Sequence, residues 1–170
     1  MKPIRNSPAI VVRPEEGQDE AFLCEVFAST REAELAGLGW DESQRKAFLK
    51  MQFQAMRQGY RAMFPSAEFL IVLYEQTRIG RWVIDRRKEA WRVVDLALLP
   101  EWRGRGIGTG LLRGLLEQAR EAKVPVRLQV LAGSPAVRLY ERLGFGRSSE
   151  ESPYLHMEWS PELTKKLRAD

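Results

Sequence analysis

A glycine-rich basic segment near the middle of the chain has residue types that suit an anionic ligand. It lies between an apolar run at 93–99 and apolar residues that recur at helical spacing from residue 107 onward. Glycines let a ligand approach the backbone closely, and the first turn of a helix has N–H groups without partners at the positive end of its dipole. With arginines beside them, these features predict a site for phosphate oxygens. The segment consists of Arg103, Gly104, Arg105, Gly106, Ile107, Gly108 and Thr109.

Two further side chains are candidates for proton transfer. Asp95 is an acid inside an otherwise apolar run, where burial of a charge without a partner is costly. It therefore either pairs with an arginine or faces a cleft and relays a proton through water. Tyr140 lies beside Val137 and Leu143 in a helical pattern. A phenol with a pKa of about 10 is protonated at neutral pH and can donate to a leaving group, and the alternative is a packed aromatic side chain.

The composition excludes several kinds of catalytic centre. The sequence has one cysteine, Cys24, and one histidine, His156, so neither an internal disulfide nor a cluster of cysteine or histidine metal ligands is expected. We therefore expect no metal cofactor. The formal net charge of +4 suits a phosphate-bearing cofactor. Because no long Lys/Arg tract occurs outside the glycine-rich segment, we expect no nucleic-acid partner.

The length and the N-terminal residues set the expected organisation. A chain of 170 residues predicts a single domain over 1–170. No apolar run approaches the ~18 residues of a membrane span, and no apolar signal region follows the first residues. We therefore expect a cytoplasmic protein with no membrane partner, and a homodimer remains open.

The elements that position these residues follow from periodicity and turn signals. Strands are predicted at 10–13, 68–74, 78–85, 91–99, 126–131, 145–148 and 154–159. Helices are predicted at 20–31, 33–38, 43–64, 107–123, 136–143 and, as a short helix or frayed tail, 161–168. Successive strands joined by short turns indicate an antiparallel meander, and the strand–helix–strand order around the glycine-rich segment indicates one parallel pair. The pattern therefore predicts a mixed sheet with flanking helices.

Two motifs together resemble the GNAT family, the Gcn5-related N-acetyltransferases. The segment 103–108 matches the family's Q/R-x-x-G-x-G/A turn, which holds the pyrophosphate of acetyl-CoA. The segment 134–145, Ser-Pro-Ala-Val-Arg-Leu-Tyr-Glu-Arg-Leu-Gly-Phe, is similar to the family's later helix that carries a tyrosine and ends in Gly-Phe. The resemblance covers 93–145 well and implies an α+β fold in α/β/α layers. Its central sheet would have six to seven strands, mostly antiparallel.

The resemblance also implies roles for individual residues. The strand at 96–98 would bulge and splay from its parallel neighbour, so that the pantetheine arm of acetyl-CoA pairs with the freed edge and the Leu98 N–H points at the thioester oxygen. Tyr140 would be the general acid. Two positions depart from the family: Ser134 stands where Asn is frequent, and Arg92 stands where some relatives have a Glu base. The cofactor-binding residues implied outside the glycine-rich segment are Leu96, Ala97, Leu98, Ser134, Ala136 and Tyr140.

The expected function is N-acetyl transfer from acetyl-CoA to a primary amine of a small molecule or peptide. No Cys or Ser stands in an evident nucleophile setting, so direct transfer in a ternary complex is expected. The alternative is an acyl-CoA-binding regulatory module without catalysis.

Overall fold

A computed structural model describes residues 9–162 of the chain, which contain seven strands, five α-helices and two short 3₁₀ helices. The strands are β1 (Ile10–Pro14), β2 (Glu68–Tyr74), β3 (Thr77–Arg86), β4 (Trp91–Leu98), β5 (Val126–Leu131), β6 (Gly146–Glu151) and β7 (Tyr154–Trp159). The helices are α1 (Glu20–Ser29), α2 (Glu32–Leu35), α3 (Glu42–Met63), α4 (Ile107–Ala122) and α5 (Ala136–Arg142). Except for its first two positions, the segment expected at 161–168 lies outside the described residues.

The strands form one mixed sheet in the order β1-β2-β3-β4-β5-β7-β6. Only β4 and β5 pair in parallel, and every other neighbouring pair in this sheet is antiparallel. The predicted mixed, mostly antiparallel sheet of six to seven strands is therefore confirmed. No helix among the described residues is both long and apolar enough to cross a membrane.

Helices cover both faces of the sheet. On one face α1 and α3 bury a cluster that includes Phe27, Phe53 and Ile71, while on the other face α4 packs Leu111 and Leu115 into the larger cluster. Because side chains alternate along a strand, Leu70 of β2 packs in the larger cluster and the next residue, Ile71, packs in the cluster of α1 and α3. The predicted α/β/α layering is therefore confirmed.

Most element boundaries agree with the prediction to within two residues, and two differ by three. The helix expected at 33–38 ends at Leu35, because Gly37 and Gly39 follow and Gly39 has a φ of +65°. The strand expected at 145–148 continues to Glu151, because β7 supplies a ladder partner as far as Tyr154.

β4 contains a bulge that decides which way its side chains face. Val83 of β3 lies opposite Asp95 while Ile84 lies opposite Val93, so Val94 is the extra residue. The bulge was expected within the segment 96–98, and the structure places it just before that segment. It shifts the alternation by one position: Val93 packs in the α4 cluster, whereas Asp95 lines a space against α3.

The predicted splay of β4 from β5 begins directly after this bulge. The two strands pair only from Trp91 to Val93, opposite Val126 to Leu128. Beyond that point β5 continues with β7, as in the pair Leu131–Tyr154. The edge of β4 that would face β5 is therefore open along the second half of the strand.

Candidate active site

An open groove of about 840 Å³ lies between the free edge of β4, the beginning of α4 and the helix α5. Every predicted cofactor-binding residue except Arg105 lines this groove. The fold thus brings together two segments that lie about 30 residues apart in the chain. Residues that line the groove but that sequence reasoning missed are Thr30, Trp102, Leu112, Pro135, Leu139 and Arg142.

The glycine-rich loop leaves open space where other residues would place a side chain. Gly104 and Gly106 have φ values of +71° and +77°, and a Cβ added to either would meet no atom within 4 Å. A larger residue would therefore be strained and would enter the groove. Gly106 accepts a hydrogen bond from the Gly110 N–H at 2.9 Å, so the N–H groups of the three residues between them are free of helix partners. This donor set and this open cradle fit a diphosphate.

The second half of β4 turns backbone groups toward the groove. The Leu99 N–H donates to the Ile79 carbonyl of β3 at 2.9 Å. Because alternate residues of an antiparallel strand bond to the same neighbour, Leu96 and Leu98 direct their N–H and C=O groups to the opposite edge, where β5 has departed. An extended ligand can pair with this edge as an additional strand.

The two arginines of the loop occupy different places. Arg103 lines the groove, but its guanidinium is held by the protein: Nε donates to the Leu98 carbonyl at 2.8 Å and Nη2 donates to the Ser29 hydroxyl at 2.9 Å. Arg105 lies on the other side of the loop, over the ring of Trp102 at 5.1 Å from its centroid. Arg103 therefore ties the loop to β4 and α1, and Arg105 lies outside the groove.

Ser134 and Pro135 begin α5 at the wall of the groove. The Ser134 hydroxyl accepts a hydrogen bond from the Ala136 N–H at 3.2 Å, and Pro135 already has helical dihedral angles, with φ −57° and ψ −22°. Ser134 therefore caps the helix. The spacing of Leu139 and Arg142, three residues apart on one helix face, is the sequence signal that would have placed Arg142 in the groove.

Tyr140 lies in the groove with its hydroxyl free of other described residues. Its ring packs edge-on against Phe145, with 5.7 Å between centroids and an interplanar angle of 67°. No described residue forms a hydrogen bond with the hydroxyl. Burial raises the pKa of the phenol, and the negative charge of Asp95 raises it further. Tyr140 is therefore protonated at neutral pH.

Asp95 pairs with an arginine, which is one of the two alternatives predicted for this residue. Its Oδ2 lies 2.5 Å from Nε of Arg81, a β3 residue that is only 6% exposed. The contact is an ion pair without the angular geometry of a hydrogen bond. Tyr60 of α3 lines the same small space, and burial, followed by the charge of Asp95, raises its pKa to about 12. Asp95 therefore acts electrostatically on both Tyr60 and Tyr140.

The described residues contain no group of three or more His, Cys, Asp or Glu side chains placed to hold a metal ion.

Comparisons with known proteins agree with this geometry. The model of the acetyltransferase (GNAT) family matches residues 29–145. The structure of the PaiA N-acetyltransferase from Thermoplasma acidophilum, solved in complex with coenzyme A, superposes with a TM-score of 0.66 at 20% identity and covers 89% of this chain and 98% of that chain. The ribosomal L7/L12 α-N-protein acetyltransferase RimL gives a TM-score of 0.64 at 12% identity, covering 94% and 93% of the two chains. An acetyltransferase from Thermus thermophilus gives 0.64 at 16% identity, covering 89% and 97%.

No curated protein sequence gave a match. The solved structures are too distant in sequence to show more than the fold. The family match is independent of them and spans more than half of the chain, from the end of α1 to the residue before β6. The chain therefore belongs to the acetyltransferase (GNAT) family.

Proposed function

We propose that this protein transfers an acetyl group from acetyl-CoA to a primary amine of a small molecule or peptide, by direct transfer in a ternary complex. The observation that carries the proposal is the open edge of β4, which lies in one groove with the glycine-rich loop and Tyr140. A single-domain organisation over 1–170 and a cytoplasmic location are parts of the same proposal.

The loop and the strand edge hold the two halves of the cosubstrate. The free N–H groups at the beginning of α4 bind the diphosphate, where the helix dipole favours negative charge. The backbone groups of Leu96 and Leu98 pair with the pantetheine arm. The Leu98 N–H is the donor for the thioester oxygen, because it points to the open edge of β4. The Leu98 carbonyl is already bonded to Arg103. A fixed donor of this kind stabilises the oxyanion that develops during acyl transfer.

The thioester supplies an activated acetyl group, and the protein supplies proton transfer. As the amine nitrogen bonds to the acetyl carbon and the carbon–sulfur bond breaks, Tyr140 donates its phenolic proton to the departing sulfur. Its raised pKa keeps that proton in place before transfer. In this proposal the amine reaches the reaction from the α3 side. Asp95 faces that side but is engaged by Arg81, so the amine proton passes to solvent and Asp95 contributes only its negative charge. Tyr60 neighbours Asp95 on that side.

Isothermal titration with acetyl-CoA and a thiol-release screen against amines and peptides test the proposal together. We expect binding, and thiol release with at least one acceptor. Gly106→Val should abolish binding, because a φ of +77° strains any residue with a Cβ and the valine side chain would occupy the open space proposed for the diphosphate. Binding without thiol release over a broad acceptor panel would favour the non-catalytic module. No binding at hundreds of micromolar would contradict both functions.

The proton-donor assignment is tested with Tyr140→Phe. We expect kcat to fall by about 100-fold, the usual contribution of general acid catalysis, while the Kd for acetyl-CoA changes little. Tyr74→Phe is the matched control, since Tyr74 stacks on Trp102 and does not line the groove. Equal kcat values for Tyr140→Phe and the wild type would remove Tyr140 from the mechanism.

A further inference from the structure

The glycine-rich loop contains two arginines, yet neither presents a free guanidinium to the groove. Arg103 donates to the Leu98 carbonyl and to Ser29, and Arg105 lies over Trp102 on the other side of the loop. The phosphate charge of an acyl-CoA therefore needs a different cation.

Arg142, at the end of α5, meets that need. It lines the groove, and its side chain is exposed and forms no ion pair or hydrogen bond within residues 9–162. Its acidic neighbour Glu141 does not neutralise it, because Glu141 is engaged by Nη2 of Arg147 at 3.0 Å. Arg142 thus combines a position in the groove with an unengaged guanidinium.

The opposite wall of the groove already provides donors for the diphosphate. The first turn of α4 offers free backbone N–H groups and the positive end of a helix of 16 residues. These suit the diphosphate. The 3′-phosphate of coenzyme A is a separate anionic group on the ribose, and it needs a cation at a different point. A guanidinium matches the geometry of phosphate oxygens with two parallel N–H donors.

We propose that Arg142 binds the 3′-phosphate of the acyl-CoA and so makes the protein prefer coenzyme A over 3′-dephospho-coenzyme A. This inference rests on the proposed function, because it concerns the same groove. The arginine that recognises a phosphate group then lies on α5 and not in the glycine-rich loop. The 3′-phosphate and the thioester lie at opposite ends of acetyl-CoA, so in this assignment Arg142 affects binding and not the chemical step.

The test is isothermal titration of coenzyme A and 3′-dephospho-coenzyme A into the wild type, Arg142→Gln, Arg142→Lys and Arg138→Gln. Arg138 is the matched control: it lies one helical turn earlier on α5, is exposed and does not line the groove. The wild type should bind coenzyme A about fivefold more tightly than the dephospho form, the size expected for an exposed ion pair. Arg142→Gln should remove this preference by weakening only coenzyme A, and Arg142→Lys should keep part of it. Arg138→Gln should keep the full preference.

Ionic strength provides a second readout that a merely structural role would not change. The wild-type preference should shrink as salt rises, because exposed charges are screened, and the Arg142→Gln ratio should not respond. If Arg142→Gln weakens both ligands by the same factor, the guanidinium contacts the diphosphate and the 3′-phosphate assignment is overturned. An unchanged preference in Arg142→Gln also overturns it. Failure of the wild type to bind either ligand would instead refute the proposed function.

Discussion

Gly80 of β3 holds the open edge of β4 in place, and replacing it with alanine should displace that edge. Gly80 lies opposite Leu98 in the ladder. A Cβ on Gly80 would stand 2.4 Å from the carbonyl oxygen of Ala97 and 2.6 Å from Cδ2 of Leu98. The leucine side chain can rotate away, but the carbonyl belongs to the backbone. To reach an ordinary van der Waals contact the Ala97 carbonyl must move by about 1 Å.

This displacement should lower both stability and cosubstrate affinity. Forcing one extra carbon into a packed interior costs about 1–3 kcal/mol of unfolding free energy, so we expect Gly80→Ala to lose about 2 kcal/mol. A shift of about 1 Å in a positioning element also reduces function by as much as about 100-fold. Because Leu98 moves with Ala97, we expect the Kd for acetyl-CoA to rise at least about tenfold.

Urea denaturation and isothermal titration measure the two effects, and Gly59→Ala provides the control. Gly59 lies inside α3, and a Cβ there would meet no atom within 4 Å. Alanine should therefore stabilise that helix by about 0.5–1 kcal/mol and leave acetyl-CoA binding unchanged. Wild-type stability and affinity in Gly80→Ala would refute the reasoning, since it would show that β3 does not set the position of the β4 edge.

Two further predictions concern charged and phenolic groups. Asp19 is fully buried and accepts two hydrogen bonds from Arg13, at 2.6 and 2.8 Å. Asp19→Ala should therefore lower the free energy of unfolding, measured by urea denaturation at pH 7, by about 3 kcal/mol. Its hydrogen bonds with Arg13 hold the pKa of Asp19 well below the usual range. This stabilisation is therefore present above pH ~4 and is lost as the pH falls further. A stability difference between the wild type and Asp19→Ala that stays constant through acid pH would contradict the pairing. Tyr60 has a pKa of about 12, so ultraviolet difference titration should show that Tyr60→Phe removes a phenol ionising near that pH. Asp95→Asn should lower that pKa, and an unchanged titration would show that Asp95 does not face Tyr60.

The fold was accessible from the sequence because its signals are local. The bounds of β2 and β5 agree with the apolar runs that predicted them, since each run is closed by turn residues. The beginning of α4 after Gly106 follows from the change from glycines to helical spacing. The parallel pair followed from the strand–helix–strand order. Each of these inferences needs only neighbouring elements, at most the segment from Trp91 to Leu131, and a general rule of topology.

The missing parts of the site depend on contacts between distant segments. Simple alternation puts Asp95 on the same face as Val93, and only the bulge at Val94 turns it toward α3. A bulge of this kind has no signature in the residues themselves. The sequence shows Gly80 only as a glycine within a predicted strand. Its close approach to Ala97 becomes visible only when β3 and β4 are paired.

The bulge also separates the two halves of the proposed reaction. Leu96 and Leu98 pack their side chains in the cluster on the α4 side, whereas Asp95 faces α3 with Tyr60. In the proposed reaction the cosubstrate groove and the space around Asp95 therefore lie on opposite faces of the sheet. Residues of α3 can change without disturbing the glycine-rich loop, because no residue of α3 lines the groove. We therefore propose that a part of the chain outside the cofactor-binding motifs selects the acceptor, so that the family match identifies an acetyltransferase without identifying its acceptor.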